Sequence, residues 1–236
     1  MADRIFLLFY TLIIKPNNLL SMKSDRHNIL TWIIFIFILT PIFSAAQYPE
    51  AQNELDKKVL SFLNDQSGQW RDMNIPVTDG RILYDLILEG KYTSALEIGT
   101  STGHSAVWIA WALSKTGGKL ITIEIDKKRY VQALANFRKA GLSEYIDARL
   151  GDAHDLVPSL EGKYDFVFCD ADKWWYKNYF IAMESKMQKG GCFVAHNTNM
   201  RSADIREFLA YIEKNPAYTT RHDRNSRSGL SISCKK

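Results

Sequence analysis

The sequence contains few of the features that mark cysteine-rich or nucleic-acid-binding proteins. Its 236 residues include only three cysteines, Cys169, Cys192 and Cys234, which show no paired spacing. Cys169 and Cys192 lie within apolar runs, which favours small buried side chains over a disulfide or a metal site. The formal net charge is only +4 and no long basic run occurs. We therefore expect no nucleic-acid partner.

A single long apolar run stands near the N-terminus. Residues 29–43 carry no charge, Lys23 and Arg26 precede them, and Ser44-Ala45-Ala46 follows. This pattern is typical of a secretory signal cleaved before Gln47. The run is shorter than the ~20 residues that span a bilayer, and an uncleaved membrane anchor is the alternative. Met22 is a second candidate for the natural start.

The apolar run and its flanking residues divide the chain into two parts and predict where in the cell the protein is located. Residues 1–46 form a signal peptide or membrane anchor, and residues 47–236 form the folded domain. The protein is expected to be exported or membrane-anchored, or cytosolic if the segment is not a working signal. Membrane contact is expected only through the N-terminal segment.

Helical and strand patterns alternate after Tyr48. Such alternation predicts a Rossmann-like α/β fold, with a doubly wound, mostly parallel seven-stranded sheet and helices on both faces. Gly90 is expected to cap the second helix. The expected helices span residues 51–66, 79–90, 104–114, 127–140, 173–188 and 202–213. The expected strands span 92–99, 119–125, 145–150, 164–169 and 191–196, with two more in the tail 217–235.

The first predicted strand runs into the loop E-x-G-x-x-x-G, residues 97–103, and a helix follows directly. Gly99 and Gly103 allow a tight turn and close approach of the backbone to a ligand. Ser101 stands two residues after Gly99, so the dinucleotide fingerprint G-x-G-x-x-G is missing and a dehydrogenase is disfavoured. Glu97 suits a ligand that carries an amino group, while a purely structural turn is the alternative.

Acidic residues also follow the next predicted strands. Glu124 ends the second strand, 25 residues after Gly99, where a carboxylate commonly binds ribose hydroxyls. Asp152 and Ala153 follow the third strand, in a turn that can contact an adenine ring. Together these positions favour a nucleoside ligand over solvated strand ends.

Two further strands end in groups capable of chemistry. Asp170, Asp172 and Lys173 follow the fourth strand, and His196 with Asn197 follows the fifth. Carboxylates gathered at a sheet edge are costly unless they are paired or bind something. A helix N-cap is the structural alternative for the aspartates. His196 and Asn197 are candidates to complete a metal site with Asp170.

The motifs EIGTSTGHS, TIEID, YDFVFCDADK and GGCFVAHN resemble those of the cation-dependent O-methyltransferases, the family of catechol and caffeoyl-CoA O-methyltransferases. The resemblance spans residues 76–236 and implies a class I S-adenosylmethionine-dependent methyltransferase domain. By resemblance, Lys173 is the general base and Asp170, His196 and Asn197 are the metal ligands, although the family normally has an Asp-Asn pair where His196-Asn197 stands. The cofactor-binding residues implied are Thr78, Glu97, Gly99, Ser101, Gly103, Ser105, Glu124, Asp152, Ala153 and Asp170.

The imidazole of His196 leaves three alternatives for the metal. The site uses a softer cation than magnesium, binds magnesium weakly, or has lost the metal and uses His196 as a base. With a cation retained, metal-assisted deprotonation of the acceptor hydroxyl is expected.

The predicted function is S-adenosylmethionine-dependent methyl transfer to a phenolic or catechol-like hydroxyl of a small molecule, with S-adenosylmethionine and a divalent cation, such as Mg²⁺ or Mn²⁺, as cofactors. A metal-independent methyltransferase on the same scaffold, or an exported non-catalytic binding protein, is the alternative. The partner expected is a small hydroxylated substrate, and a homodimer is left open.

Overall fold

A seven-stranded sheet forms the centre of the part of the chain that the computed structural model describes, residues 48–70 and 72–236. The predicted N-terminal signal or anchor lies outside these residues. Within them, no helix has the length and apolar character needed to cross a bilayer. The strands are β1 Ser94–Ile98, β2 Lys119–Glu124, β3 Ile146–Leu150, β4 Tyr164–Cys169, β5 Met187–His196, β6 Tyr218–Asp223 and β7 Leu230–Lys235.

The strand order is β3-β2-β1-β4-β5-β7-β6. Strands β1 to β5 pair in parallel, and β7 is antiparallel to both of its neighbours. The predicted doubly wound, mostly parallel sheet is therefore confirmed. The order reverses between β1 and β4, and such a switch point opens a crevice at the carboxyl ends of the strands.

Seven helices accompany the sheet in the described residues: α1 Glu54–Asp65, α2 Val77–Gly90, α3 His104–Thr116, α4 Lys127–Ala140, α5 Ala153–Ser159, α6 Tyr176–Glu184 and α7 Ala203–Glu213. Neighbouring strand residues face opposite sides, as the period of a strand requires. Ala95 packs in one core with helices α1 to α4, and Leu96 packs in the other with α5 to α7. The helices therefore bury both faces of the sheet, as predicted.

Local sequence signals set most helix boundaries. Asp126 accepts a hydrogen bond from the Arg129 amide at 2.9 Å and so caps the start of α4. Gly141, at φ +77°, ends the same helix in the left-handed region, where glycine carries no Cβ penalty. These caps explain why the predicted range 127–140 agrees with α4.

Three local expectations were wrong. Helix α5 was expected to be a turn, but Asp152 caps it by accepting from the His154 amide at 2.8 Å. Residues 187–188 were expected to continue a helix, but β5 begins at Met187, which pairs with Tyr164 of β4. The second helix includes Gly90, and Lys91 adopts the left-handed cap at φ +52°.

The expectation that Cys192 is a small buried side chain and not part of a disulfide was also wrong. Cys192 and Cys234 are directly opposite each other in the antiparallel β5–β7 pair, and a disulfide joins them. The two residues are 42 positions apart, so only the register of the strands brings them together. Cys169 is a free, buried thiol, as predicted.

Candidate active site

The loop after β1 forms one wall of a cleft at the switch point. Gly99 has φ +96°, and a Cβ there would lie 2.7 Å from the carbonyl oxygen of Asp170. Only glycine therefore allows β1 and β4 to end so close together. Ser101 is also left-handed, at φ +50°, which is costly for a residue with a side chain. Its amide donates to Oε2 of Glu124 at 2.7 Å, so the strained loop holds the predicted ribose-binding carboxylate.

Glu124 is fixed from two sides. Its Oε1 atom accepts from the Asp126 amide at 2.9 Å, in addition to the bond from Ser101. Both bonds come from the backbone, and among residues 48–70 and 72–236 no cationic side chain forms an ion pair with this carboxylate. Glu124 is thus a pre-oriented acceptor at the cleft wall, suited to a pair of hydroxyl donors.

Glu97 is fully buried behind this loop. Burial raises the pKa of its carboxyl to about 8, although hydrogen bonds from the Ser105 and Thr122 hydroxyls oppose the shift. Its Oε1 atom makes no hydrogen bond within geometric limits in the described part of the chain. An unsatisfied buried acceptor of this kind is costly unless a ligand or water satisfies it.

The cleft has a volume of about 850 Å³, which is in the range of small-molecule sites. It joins predicted site residues from five different segments of the chain. Those that line it are Gly99, Ser101, Glu124, Asp152, Ala153, Asp170, Lys173, His196 and Asn197.

Four predicted cofactor residues do not line the cleft. Thr78 is exposed in the first turn of α2. Glu97 and Ser105 are buried beneath the loop. Gly103 starts α3 at φ +96°, and a Cβ there would meet the ring of Phe137 at 2.5 Å. Gly103 therefore serves helix packing, which a sequence motif does not distinguish from ligand contact.

The loop before α2 contributes to the cleft through residues that the sequence analysis did not single out. Met73 and Asn74 line it. Asn74 donates to the Thr102 hydroxyl at 2.8 Å, and Asp72 forms a bidentate ion pair with Arg129 at 2.9 Å. These bonds fix the loop beside the β1–α3 turn. The polar residues Asp72 and Asn74 before Ile75 were the available sequence signal.

A cluster of four charged side chains forms the other half of the site. The ring of His196 lies between two carboxylates, with Nε2 2.9 Å from Asp79 and Nδ1 3.1 Å from Asp170. Lys173 donates to the second oxygen of Asp170 at 2.8 Å and to the Ala171 carbonyl at 2.9 Å. Burial alone would lower the pKa of His196, but hydrogen bonds to Asp170 and Asp79 outweigh it and raise that pKa to about 9.

This arrangement does not fit the predicted metal site. Lys173 and His196 occupy both oxygens of Asp170, and carboxylates occupy both ring nitrogens of His196. A divalent cation would have to displace one of these partners. Within residues 48–70 and 72–236, no group of three or more His, Cys, Asp or Glu side chains could hold a metal ion. The expected set Asp170, His196 and Asn197 is therefore not assembled as ligands.

His196 is equally unsuited to the role of free base that was considered for it. Both of its nitrogens face oxygen atoms of carboxylates, which accept hydrogen bonds and do not donate them when ionised. The ring therefore has no free lone pair for a substrate proton. Asp79, which completes the arrangement, is wholly buried and was missed as a site residue, although it adjoins Thr78 in the sequence.

The comparisons with known proteins agree with this geometry. The family model described as O-methyltransferase matches residues 47–207. A catechol O-methyltransferase of Niastella koreensis is 36% identical over 129 residues, covering 53% of this chain and 58% of that protein. A caffeoyl-CoA O-methyltransferase of Eucalyptus globulus is 32% identical over 154 residues, covering 60% of this chain and 62% of that protein. The chain thus spans about three fifths of the length of these two relatives.

A solved structure shows the same fold. The O-methyltransferase from Bacillus cereus, in complex with SAH, superposes with a TM-score of 0.69 at 23% identity, covering 84% of this chain and 97% of that one. The family model covers well over half of the sequence and includes the strands that form the cleft. The chain therefore belongs to the O-methyltransferase family.

Proposed function

We propose that the protein transfers a methyl group from S-adenosylmethionine to a phenolic, catechol-like hydroxyl of a small molecule. The observation that carries this proposal is one continuous cleft. Gly99 and Glu124, the residues predicted to bind the nucleoside, line this cleft together with Asp170 and Lys173 at the carboxyl edge of the sheet.

The cofactor half of the cleft suits S-adenosylmethionine. Glu124 would accept from the ribose hydroxyls, and the segment Asp152–Ala153 would flank the adenine. The unsatisfied Oε1 atom of Glu97, which lies beneath the loop, suits the amino group of the methionine part through a bridging water. Bound S-adenosylmethionine supplies an electrophilic methyl group, so the chain itself has mainly to align the acceptor oxygen and manage its proton.

The substrate half has an apolar, aromatic rim. Met73, Trp174 and Met200 all line the cleft and are 68%, 56% and 48% exposed. Exposed large apolar side chains around a cleft commonly mark a ligand surface. An aromatic ring would cover them, and the relatives named as catechol and caffeoyl-CoA O-methyltransferases support this substrate class.

Lys173 is the residue of the cluster best suited to act on the acceptor hydroxyl. It was predicted to be a general base, and its amino group donates to Asp170 at 2.8 Å. We propose that its N–H groups also donate to the acceptor oxygen and stabilise the phenolate, while the hydroxyl proton leaves to solvent. A hydrogen bond to a charged group contributes about 1.5–3 kcal/mol, which would lower the phenol pKa from about 10 by about one to two units.

The experiment starts with the full-length chain titrated with S-adenosylmethionine in a calorimeter. Methyl transfer to a panel of catechols and monophenols is then measured. We expect micromolar binding and transfer to at least one phenol. Lys173→Met should lower kcat at least 100-fold and leave cofactor affinity unchanged. The matched control Lys177→Met removes a lysine that pairs with Glu207 on the surface, and it should keep full activity.

Two outcomes would contradict the proposal. Absence of cofactor binding would remove the methyltransferase function. Binding without transfer to any phenol would favour the alternative of a non-catalytic binding protein.

We further propose that the domain works in an oxidising compartment. Disulfides persist in exported proteins and are rare in the cytosol. The Cys192–Cys234 bond therefore supports export, the location that the N-terminal segment predicts. Labelling of surface proteins on intact cells, compared with labelling after lysis, tests this location.

A further inference from the structure

We propose that Asp79 and His196 replace the divalent cation of this site, so that the relay Asp79–His196–Asp170–Lys173 positions Lys173 without a metal ion. The effect of the relay on methyl transfer rests on the proposed function, whereas its effect on metal binding does not.

The relay is a continuous chain of hydrogen bonds. The hydroxyl of Ser226 donates to Oδ2 of Asp79 at 3.0 Å, and the same oxygen accepts from the His196 ring at 2.9 Å. The other ring nitrogen reaches Asp170 at 3.1 Å, and Asp170 accepts from Lys173 at 2.8 Å. The chain therefore joins α2, the end of β5, the end of β4 and the β6–β7 turn.

The four side chains of the relay are already paired with one another. Two carboxylates, Asp79 and Asp170, face the His196 ring, and Asp170 also faces the Lys173 amino group. Exposure of the side chains rises along the relay, from 0% at Asp79 through 5% at His196 and 12% at Asp170 to 21% at Lys173. A divalent cation would have to displace the His196 or the Lys173 partner of Asp170, and the partner left behind would lose its pairing in a largely buried place. The pairing already present therefore opposes the entry of a cation.

Lys173 lines the cleft and is the most exposed side chain of the relay. Asp79 does not line the cleft and can act on the reaction only through His196 and Asp170. It is thus a positioning residue. Ser226 holds it from behind and is held in turn by the Gly229 amide, which donates to its hydroxyl at 3.1 Å.

The first test measures metal binding alone. The full-length chain is titrated with Mn²⁺ and followed by electron paramagnetic resonance. We expect no saturable binding below the millimolar range. His196→Asp should provide oxygen donors beside Asp170 and gain Mn²⁺ affinity at least 100-fold. Saturable micromolar binding by the wild type that is lost in Asp170→Asn would overturn the inference, as would a His196→Asp variant that gains no affinity.

The second test measures positioning. Methyl transfer by the wild type should be unchanged by excess EDTA, whereas transfer by His196→Asp should become sensitive to it. Asp79→Asn should lower kcat at least 10-fold with little change in cofactor KM, and Asp79→Glu should recover part of the loss. The matched control Asp85→Asn lies on the same helix, pairs with Arg81 at the surface, and should change neither constant.

The two proposals fail in different ways. Loss of wild-type transfer in EDTA, restored by Mn²⁺, would overturn the relay and leave the methyltransferase function intact. Absence of S-adenosylmethionine binding would overturn the proposed function, while the Mn²⁺ titration, which needs no cofactor, would still decide the relay.

Discussion

Reduction of the Cys192–Cys234 disulfide should markedly destabilise the domain. The bond joins β5 to β7 and closes a loop over a separation of 42 residues, which includes α7, β6 and the turn that holds Ser226. In the chain-entropy model, a loop of this length contributes about 4 kcal/mol to the free energy of unfolding at 25 °C. With a urea dependence of about 2 kcal/mol per molar, the unfolding midpoint should fall by about 2 M.

The assay is urea unfolding of the full-length chain with and without dithiothreitol, combined with a count of reactive thiols. The wild type, unfolded without reductant, should present one reactive thiol, that of Cys169, because the other two cysteines are bonded. The double variant Cys192→Ala/Cys234→Ala should lose the dependence of its midpoint on reductant. The control Cys169→Ala should keep it. Three reactive thiols in the unreduced wild type, or a midpoint that reductant leaves unchanged, would refute the reasoning.

Three further predictions concern the cleft. Glu97 has a pKa raised to about 8 from 4.5 by burial, so stability should fall as the pH rises from about 4.5 to 8, and Glu97→Gln should remove up to about 5 kcal/mol of this dependence in urea unfolding. Glu124→Gln should weaken S-adenosylmethionine binding 10- to 100-fold in calorimetry, because hydrogen bonds to a charged acceptor contribute about 1.5–3 kcal/mol. Trp174→Ala should raise the KM for a phenol about 10-fold, since it removes an exposed aromatic surface at the cleft, whereas Trp174→Phe should keep most of the affinity.

Each of these predictions has a control or a contradicting result. An equal pH dependence in wild type and Glu97→Gln would show that Glu97 is not the group that titrates. Glu161→Gln, a neutral change at an exposed position, should leave cofactor affinity unchanged, unlike Glu124→Gln. A KM unaffected by Trp174→Ala would place the acceptor ring elsewhere in the cleft.

Much of the cofactor half of the site could be predicted from the sequence because its residues sit where strands end. Parallel strands finish at the same edge of a sheet, so Gly99, Glu124, Asp152 and Asp170 had to meet once the strands were recognised. The motif did not separate residues that contact the cleft from those that support it. Gly103 packs against Phe137 because the helix it starts is pressed against α4, which no local pattern reports.

The charged cluster could be predicted only in part. Asp170, Lys173 and His196 were recognised as neighbours because they too end strands. The hydrogen bonds among these side chains were not predicted, because they depend on Asp79. Asp79 is 117 residues from His196 in the sequence and lies on helix α2. Without Asp79, the His196 and Asp170 pair looks like an incomplete metal site.

The sequence by itself determined the alternation of strands and helices, the parallel sheet and the edge at which the cleft opens. These features follow from the period of apolar residues and from caps within a few positions of each other. The tertiary structure alone decided that Cys192 bonds with Cys234 and that His196 lies between two carboxylates. The physical reason is that such pairs form between distant segments, whose meeting is set by strand register and helix packing across the whole domain, and no local pattern encodes that.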